Sequence, residues 1–349
     1  MRDYKKHLIS SITVIKDALV KLDILASNAI LFIVDKNNIL IGSLTDGDIR
    51  RGLIEGVSID SCVTEVVQDN PKFIKYGDQD ISKIISYRES NFTILPVLNS
   101  RNQVVDIINF REKRSYLPLD AVVMAGGKGT RLLPLTKNIP KPLLKVGEKP
   151  IIEHNLDRLS LYGINNYWFS LNYLGEQIEE YFKNGKEKNI KISYVWENKP
   201  LGTIGALSKI KNFKNNNILL TNSDILTNID YEHFFLDFIS QDADFSIVTI
   251  PYHVDIPYAV LETSNNNKIT SFKEKPTYTY YSNGGIYLMK KSALEFLPDN
   301  SFFNATDLME LLIKKGRKII SYPLSGYWLD VGKREDYEKA QKDIKQIKF

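Results

Sequence analysis

The sequence has 349 residues, more than one hydrophobic core usually serves, and therefore predicts two domains or one large α/β domain with an appendage. Hydrophobic residues make up 43% and charged residues 25% of the chain, which excludes a disordered, collagenous or coiled-coil protein. The 46 Lys and Arg residues against 42 Asp and Glu residues leave a net charge of +4 without a basic tail, so nothing indicates nucleic acid as a partner.

Cysteine content and hydrophobicity indicate a cytoplasmic protein. Cys62 is the only cysteine, so no intramolecular disulfide can form and a thiolate zinc cage is not expected. The first residues lack the apolar stretch of a secretion signal, and no window of eighteen residues is apolar enough to span a bilayer. We therefore expect a soluble, cytoplasmic chain without a membrane partner.

An internal repeat organises the first third of the chain. Residues 30–45 match residues 94–109 at a constant offset of 64 residues, and each copy has the pattern of two apolar strands joined by a polar turn. Segments of helical period precede the two copies at residues 14–25 and 81–87. We assign this pair of units to one small α/β domain, residues 1–115.

The first copy ends in a pattern that suits a nucleotide. Thr45 and Asp48 stand at a predicted helix start, where free N–H groups can bind a phosphate and a carboxylate can accept two ribose hydroxyls. The repeat with its Gly-x-x-Thr-x-x-Asp-Ile pattern resembles a tandem CBS pair, which implies a nucleotide site at these two residues. Asn109 and Glu112 replace them in the second copy, so at most one site is expected. A helix cap formed by Thr45 and Asp48 explains the same residues.

Beyond the small domain, apolar strands alternate with helical stretches, which predicts a second α/β domain over residues 116–349. Helical stretches such as 151–162 and 176–183 imply crossover connections, and hence a Rossmann-like, mixed but mainly parallel sheet. Ligands of such sheets bind beyond the carboxyl ends of the strands. The predicted strands are 121–124, 167–171, 190–195, 217–221, 245–250 and 285–289.

A glycine-rich loop follows the first of these strands. Gly126, Gly127 and Gly129 allow the backbone to fold tightly around an anion, and six cations against two acids lie between residues 120 and 150. The spacing of a Walker loop and the third glycine of a dinucleotide-binding fingerprint are both absent, so neither an ATPase of that class nor a dehydrogenase fits. The loop therefore predicts a triphosphate site, to which we also assign Thr130.

The same loop carries a recognisable motif. It continues as Gly-Gly-x-Gly-Thr-Arg-Leu-x-Pro-Leu-Thr and is followed by Pro-Lys-Pro-Leu. With the later motifs, this order resembles the sugar-1-phosphate nucleotidylyltransferase family over about residues 119–348. The resemblance implies that an NTP and a sugar 1-phosphate give an NDP-sugar and pyrophosphate, by in-line attack on the α-phosphorus with Mg²⁺ present. The later motifs are Pro200–Gly205, Asn222–Asp224, Phe272–Pro276, Asn283–Tyr287 and Tyr327–Gly332.

The catalytic and metal-binding candidates meet a need for positive charge, because one phosphate must approach another. By resemblance, Arg131 binds the triphosphate and acts most strongly in the transition state. The resemblance also implies that Lys141 contacts the α-phosphate or the sugar phosphate. Asp224 follows a buried strand and Asp330 follows an aromatic pair, and two carboxylates suit Mg²⁺. A helix or turn cap is the alternative for either aspartate.

The candidate sugar-binding residues come from three later segments. We expect Glu274 and Lys275 to alternate on a strand, and the resemblance assigns Glu274 to the sugar hydroxyls and Lys275 to the sugar phosphate. A solvated charged edge is the alternative. Gly285 would let the backbone approach the hexose closely. Ala259 stands where the family commonly has a glycine at a sugar contact.

The loop after the 190–195 strand is expected to read the base. Glu197 could accept the N1–H and amino groups of guanine, and Gly202 and Thr203 lie in a Pro-Leu-Gly-Thr-x-Gly-Ala stretch that resembles guanylyltransferases. A CBS pair ahead of such a domain resembles the glucosamine-1-phosphate guanylyltransferases of legionaminic acid synthesis.

We therefore expect GTP and glucosamine 1-phosphate as substrates. Mannose or glucose 1-phosphate, UTP or dTTP, and a catalytically inactive nucleotide-sensing protein stay open as alternatives. So does a homo-oligomer, because CBS modules commonly pair.

Overall fold

The computed structural model describes residues 4–78 and 80–347; the two predicted domain ranges also include Met1 to Asp3, Gln79, Lys348 and Phe349, which lie outside the described residues. The chain folds into two compact units. The first comprises residues 1–117 with 161–163, and the second comprises residues 118–160 with 164–349. Within the described residues, no helix combines the length and apolar character needed to cross a membrane.

The first unit contains two small sheets, with strand orders β1-β2-β3-β4 and β5-β6-β7. Its elements are β1 (Leu8–Ser10), α1 (Ile15–Leu25), β2 (Leu31–Val34), β3 (Leu40–Leu44), α2 (Asp46–Ile54), β4 (Gln68–Asp69), β5 (Ile74–Lys75), α3 (Ile81–Glu89), β6 (Ile94–Leu98) and β7 (Val104–Asn109). The helices predicted at 14–25 and 81–87 correspond to α1 and α3. Helix α1 buries residues spaced three or four apart, so one apolar face packs on the strands.

The β2–β3 and β6–β7 hairpins share one register. Ile33 pairs with Gly42 in the first hairpin and Val97 pairs with Asp106 in the second, a displacement of 64 residues at both partners. The ladder is irregular directly after Ile33 and directly after Val97. The repeat in the sequence is therefore a repeat in backbone structure, including the position of the irregularity.

The second unit is built on a seven-stranded sheet of order β12-β11-β8-β13-β18-β15-β19. Its elements are β8 (Leu119–Met124), β9 (Lys145–Val146), β10 (Lys149–Pro150), α4 (Ile151–Leu161), β11 (Asn166–Leu171), α5 (Gly175–Phe182), β12 (Lys191–Trp196), β13 (Asn217–Asn222), β14 (Ile225–Thr227), α6 (Tyr231–Ser240), β15 (Phe245–Asp255), β16 (Val260–Thr263), β17 (Ile269–Lys273), β18 (Thr277–Lys290), α7 (Ala305–Lys314), β19 (Ile319–Pro323), β20 (Trp328–Asp330) and α8 (Arg334–Asp343). Strand β18 is antiparallel to both neighbours and the other neighbouring pairs are parallel. The predicted mixed, mainly parallel sheet is confirmed.

The centre of this sheet is apolar and buried. Val122 of β8, Leu220 of β13 and Phe245 of β15 are fully or almost fully buried, and Leu308 and Leu312 of α7 belong to the same core cluster. Burying a side chain of this size contributes roughly 1.5 to 3 kcal/mol. This core fixes the strand ends that carry the polar residues described below.

Strands β15 and β18 continue well beyond the apolar stretches that predicted them. In their outer halves, Pro251 to Asp255 of β15 pairs with Thr277 to Tyr281 of β18, and the β16–β17 hairpin lies between these two segments in sequence. We call residues 251–283 the arm. Nearly all of its side chains are exposed, so hydrophobicity could not reveal these strand extensions.

Candidate active site

A cavity of about 390 Å³ lies at the carboxyl ends of four parallel strands. Met124 ends β8 and Asn222 ends β13, while Asn172 follows β11 and Glu197 follows β12. This is the edge of an open α/β sheet at which ligands bind. The other lining residues are Gly126, Gly127, Lys128, Lys141, Pro142, Pro200, Leu201, Gly202, Thr203, Ser223, Asp224 and Phe302.

The glycine-rich loop forms one wall of this cavity. Gly126 and Gly127 line it, whereas Gly129 and Thr130 lie just behind, at the start of a short 3₁₀ helix. Gly129 has a φ of 61°, and a Cβ there would lie 3.0 Å from the Cβ of Lys141. The glycine therefore allows the loop to pack directly against the side chain of a predicted catalytic lysine, at its Cβ atom.

Lys141, Asp224 and Asp330 form a charged cluster in which Lys141 is buried and the two aspartates are partly buried. The Lys141 ammonium is hydrogen bonded to Asp224 Oδ2 and lies 3.8 Å from Asp330 Oδ1. Strands β14 and β20 hold the aspartates together, because Ile225, next to Asp224, pairs with Asp330. The sequence predicted these three residues as parts of one site, and the structure brings them together.

Arg131 approaches the same cluster from the glycine-rich loop. A Cβ added at Gly332 would lie 3.1 Å from its Nη2 atom, so the guanidinium lies against the chain just after Asp330. Burial raises the pKa of Asp330, and the Asp224 carboxylate raises it further. The positive charges of Lys141 and Arg131 offset only part of that rise. The cluster thus has two carboxylates whose mutual repulsion a further cation would relieve.

The two carboxylates fit a divalent cation. Asp224 Oδ1 and Asp330 Oδ1 are buried, and neither accepts a hydrogen bond within residues 4–78 and 80–347. Mg²⁺ prefers oxygen ligands and commonly takes one or two carboxylates together with substrate phosphates and water. Among the described residues, no group of three or more His, Cys, Asp or Glu side chains is placed to hold a metal, so these two would be the protein's share.

Glu197 is held more tightly than its sequence position suggested. Its Oε1 accepts a hydrogen bond from the Ser170 hydroxyl, and its Oε2 accepts one of 3.0 Å from the Leu201 amide. Asn172 donates a 2.8 Å hydrogen bond to the Glu197 carbonyl. Glu197 therefore lines the cavity and also fixes the loop that follows it. Sequence reasoning missed Asn172, although its place directly after a predicted strand was a usable signal.

The loop at Gly202 and Thr203 is joined to the start of α7. The Thr203 hydroxyl accepts a 2.8 Å hydrogen bond from the Ala305 amide. Gly202 has a φ of 75°, and a Cβ there would lie 2.5 Å from the Phe303 carbonyl oxygen. Both residues line the cavity, but the Thr203 hydroxyl already has a structural partner.

Three of the four candidate sugar-binding residues lie outside the lining of the cavity. Ala259, Glu274 and Lys275 are exposed on the arm and are not among the lining residues. The expected alternation of Glu274 and Lys275 on a strand is wrong, because they form a bend between β17 and β18. Lys275 has a φ of 42°, and Pro276 has no N–H group with which to continue a ladder.

Gly285 lies beside the cavity instead. It has a φ of 70°, and a Cβ there would lie 2.7 Å from Nδ2 of the lining residue Asn222. The register between β15 and β18 shifts here, from Ile247 opposite Tyr287 to Thr249 opposite Asn283. A bulge of this kind needs a residue that tolerates positive φ, which explains the glycine.

In the first unit, Thr45 and Asp48 form the N-terminal cap of α2. Asp48 Oδ2 accepts hydrogen bonds from the Thr45 amide at 2.8 Å and from its hydroxyl at 2.6 Å, and Asp48 also pairs with Arg51. In the second copy, Asn109 donates a 3.0 Å hydrogen bond to Glu112. The capping interpretation accounts for the contacts between Thr45 and Asp48, and Arg51 of the same helix takes up the other Asp48 oxygen.

Comparison with known proteins adds to this geometry. The sequence profile of the nucleotidyl transferase family matches residues 120–347. The chain belongs to the nucleotidyl transferase family.

Relatives in this nucleotidyl transferase family include UTP–glucose-1-phosphate uridylyltransferase of Synechocystis, 29% identical over 245 residues, which cover 65% of this chain and 63% of that protein. Another is D-glycero-alpha-D-manno-heptose 1-phosphate guanylyltransferase of Aneurinibacillus thermoaerophilus, 30% identical over 230 residues, which cover 65% and 98%. A solved structure of HddC from Yersinia pseudotuberculosis, complexed with GMP-PN, has a TM-score of 0.51 and 27% identity and covers 64% of this chain and 99% of its own. The chain spans less than two thirds of the length of the first curated relatives that it matches.

Proposed function

We propose that this protein transfers a nucleotidyl group from an NTP to a hexose 1-phosphate. A phosphate oxygen of the sugar attacks the α-phosphorus, and the bond from that phosphorus to the leaving pyrophosphate breaks. The observation that carries the proposal is that the glycine-rich loop, Lys141 and Asp224 line one cavity together with Leu201 to Thr203. Family membership and the activities named for the relatives support the same reaction class.

In this proposal, different residues neutralise the phosphates, bind the triphosphate and hold the metal ion. Lys141 places its ammonium beside both carboxylates and can neutralise a phosphate that approaches them. Arg131, on the same loop as the glycines, supplies further donors for the triphosphate. Asp224 and Asp330 would hold Mg²⁺, which when bound supplies positive charge to the phosphates. Backbone N–H groups near Gly126 and Gly127 suit the anionic chain of the nucleotide.

We propose GTP and glucosamine 1-phosphate as the substrates. Glu197 supports guanine, because a carboxylate offers about four lone-pair sites and its two oxygens accept one protein hydrogen bond each. A guanylyltransferase relative and the GMP-PN complex of HddC agree with that base. The resemblance to glucosamine-1-phosphate guanylyltransferases of legionaminic acid synthesis supports the sugar. UTP with glucose 1-phosphate, and GTP with mannose 1-phosphate, are the alternatives that other relatives suggest.

Pyrophosphate release across nucleotides and sugar phosphates tests this proposal. We expect GTP to exceed ATP, UTP and dTTP by at least about tenfold in kcat/KM, because a bidentate contact to a base is worth roughly 1 to 3 kcal/mol. Glucosamine 1-phosphate should be used better than mannose or glucose 1-phosphate. Equal rates with UTP would remove the guanine assignment, and the absence of pyrophosphate with every pair would favour the nucleotide-sensing alternative.

We also propose that the first unit is a CBS pair that binds a nucleotide at Thr45 and Asp48 and adjusts catalysis. The support is the repeated hairpin with its shared irregularity and the position of both residues at the start of α2. Calorimetry of the full chain with AMP and ATP should detect a site that Asp48→Ala removes while Asp224→Asn leaves it intact. Linked binding would also shift KM. No binding, with unchanged kinetics for Asp48→Ala, would leave only a scaffold role.

A further inference from the structure

Phe302 is an exposed aromatic residue at the wall of the cavity. Its relative exposure is 61%, although it lines the cavity beside Pro200 and Leu201. The neighbouring Phe303 packs against the core cluster of the second unit. Phe302 is thus exposed at the cavity while the residue next to it belongs to the core.

The backbone on both sides of Phe302 is fixed. The Phe303 amide donates to the Leu201 carbonyl at 3.0 Å, and the Phe303 carbonyl accepts hydrogen bonds from Ile204 and Gly205 at 3.1 and 3.2 Å. On the other side, the Asn300 amide donates to the Ser208 hydroxyl at 3.2 Å. An exposed ring on such a backbone loses little further conformational freedom when a ligand covers it.

We infer that Phe302 is a binding residue for the nucleobase, with its ring stacked on the flat face of the base. Among the described lining residues it is the one aromatic, and it belongs to the wall formed by the Leu201–Gly205 loop. Every base has a π face, so stacking strengthens the binding of any NTP, whereas Glu197 reads the edge. This inference rests on the proposed function only in taking the ligand to be an NTP.

The test is calorimetry of the full chain with two probes, GTP and inorganic tripolyphosphate. Phe302→Ala should raise the Kd of GTP at least about fivefold and leave the Kd of tripolyphosphate unchanged, because only GTP has a base to stack. Phe302→Tyr should keep the affinity for GTP. Tyr252→Ala, which removes an aromatic of 63% exposure on the arm, is the matched control and should change neither Kd.

Three results would overturn the inference: an unchanged Kd for GTP, an equal loss for both probes, or an effect confined to the KM of the hexose 1-phosphate. Wild-type protein that binds no NTP would overturn it as well. Binding by calorimetry does not require turnover. A chain that releases no pyrophosphate but loses GTP affinity in Phe302→Ala would therefore reject the transferase proposal and keep this one.

Discussion

The cavity wall and the arm belong to one unit, in which strands β15 and β18 run from the central sheet into the arm, yet the wall and the arm are held in different ways. Side chains at the wall, such as Glu197 and Lys141, are buried and have several fixed partners. The arm exposes large apolar side chains such as Phe272, and its two-stranded ribbons have no covering layer within the described residues. A two-stranded ribbon is marginally stable on its own. The proposed nucleotide end of the site is therefore preorganised, and the proposed sugar end is not.

The largest effect should come from the carboxylates of the preorganised part. Asp224→Asn and Asp330→Asn should each reduce turnover by at least about a hundredfold, because each removes a charge from the proposed metal site. Steady-state pyrophosphate release measures this. Asp242→Asn, at a side chain that is 92% exposed and paired with Lys290, is the control and should keep its rate. Full activity in either site variant with an intact fold would contradict the assignment.

Arg131→Ala should lower kcat by roughly 10² to 10³, because we propose that its donors act on the charge that develops on the phosphates. Rates at saturating substrates separate this from weaker binding. If only the KM of the NTP rises, Arg131 stabilises the bound ground state rather than the transition state. Arg131 would then act as a substrate-binding residue, as is proposed for the exposed residues of the arm.

The arm itself can be tested with Glu274→Gln and Lys275→Ala. We expect each to raise the KM of the hexose 1-phosphate by about tenfold while the Kd of GTP stays constant, since loss of a charged hydrogen bond costs about 1.5 kcal/mol. Lys268→Ala, an exposed lysine in the turn of the same arm, is the control. An unchanged KM would show that the arm does not carry the sugar site.

The smallest effect concerns an ion pair of the helical layer. Burial raises the pKa of Asp157, but hydrogen bonds from Lys149 and Lys188 at 2.6 and 2.8 Å outweigh this, so the pKa lies below its usual value. A lowered carboxyl pKa stabilises the fold above about pH 4 and loses that contribution as the pH falls through the folded value.

Thermal unfolding of Asp157→Asn and of the wild type, compared over a range of pH, checks the direction of the Asp157 pKa shift. The difference in melting temperature should be present at pH 7 and should shrink below about pH 4. A difference that grows in acid would contradict the assigned direction.

The elements of the sheet could be predicted because burial and periodicity coincide in them. The six strands named from apolar stretches are all present. Asp224, in the turn before β14, and Asp330, at the end of β20, lie close together. The predicted repeat also appears with its register. In each case a local pattern in the sequence reports directly on which side of an element faces the core.

The strands of the arm, the contacts of Glu197 and the position of Phe302 could not be predicted, because no local sequence pattern reports on them. The arm's strands are exposed on both sides, so no apolar alternation marks them. The role of Glu197 in fixing its loop requires Ser170, which lies 27 residues away in sequence. Phe302 lies at the cavity because the amide of its neighbour Phe303 is hydrogen bonded to the Leu201 carbonyl. Contacts between distant segments decide such positions, and the sequence alone does not pair them.

The bulge at Gly284 and Gly285 gives β18 two very different halves. On one side Leu288 and Met289 are buried between two neighbouring strands, and on the other Tyr280 and Tyr281 are each 60% exposed. Because the bulge interrupts the ladder, fraying that begins in the outer half has no continuous register along which to travel inward. In deuterium exchange, amide protons at the two ends of this one strand should therefore differ as much as those of a loop and a core. One strand thus combines a buried inner half that anchors the sheet with an exposed outer half that belongs to the arm.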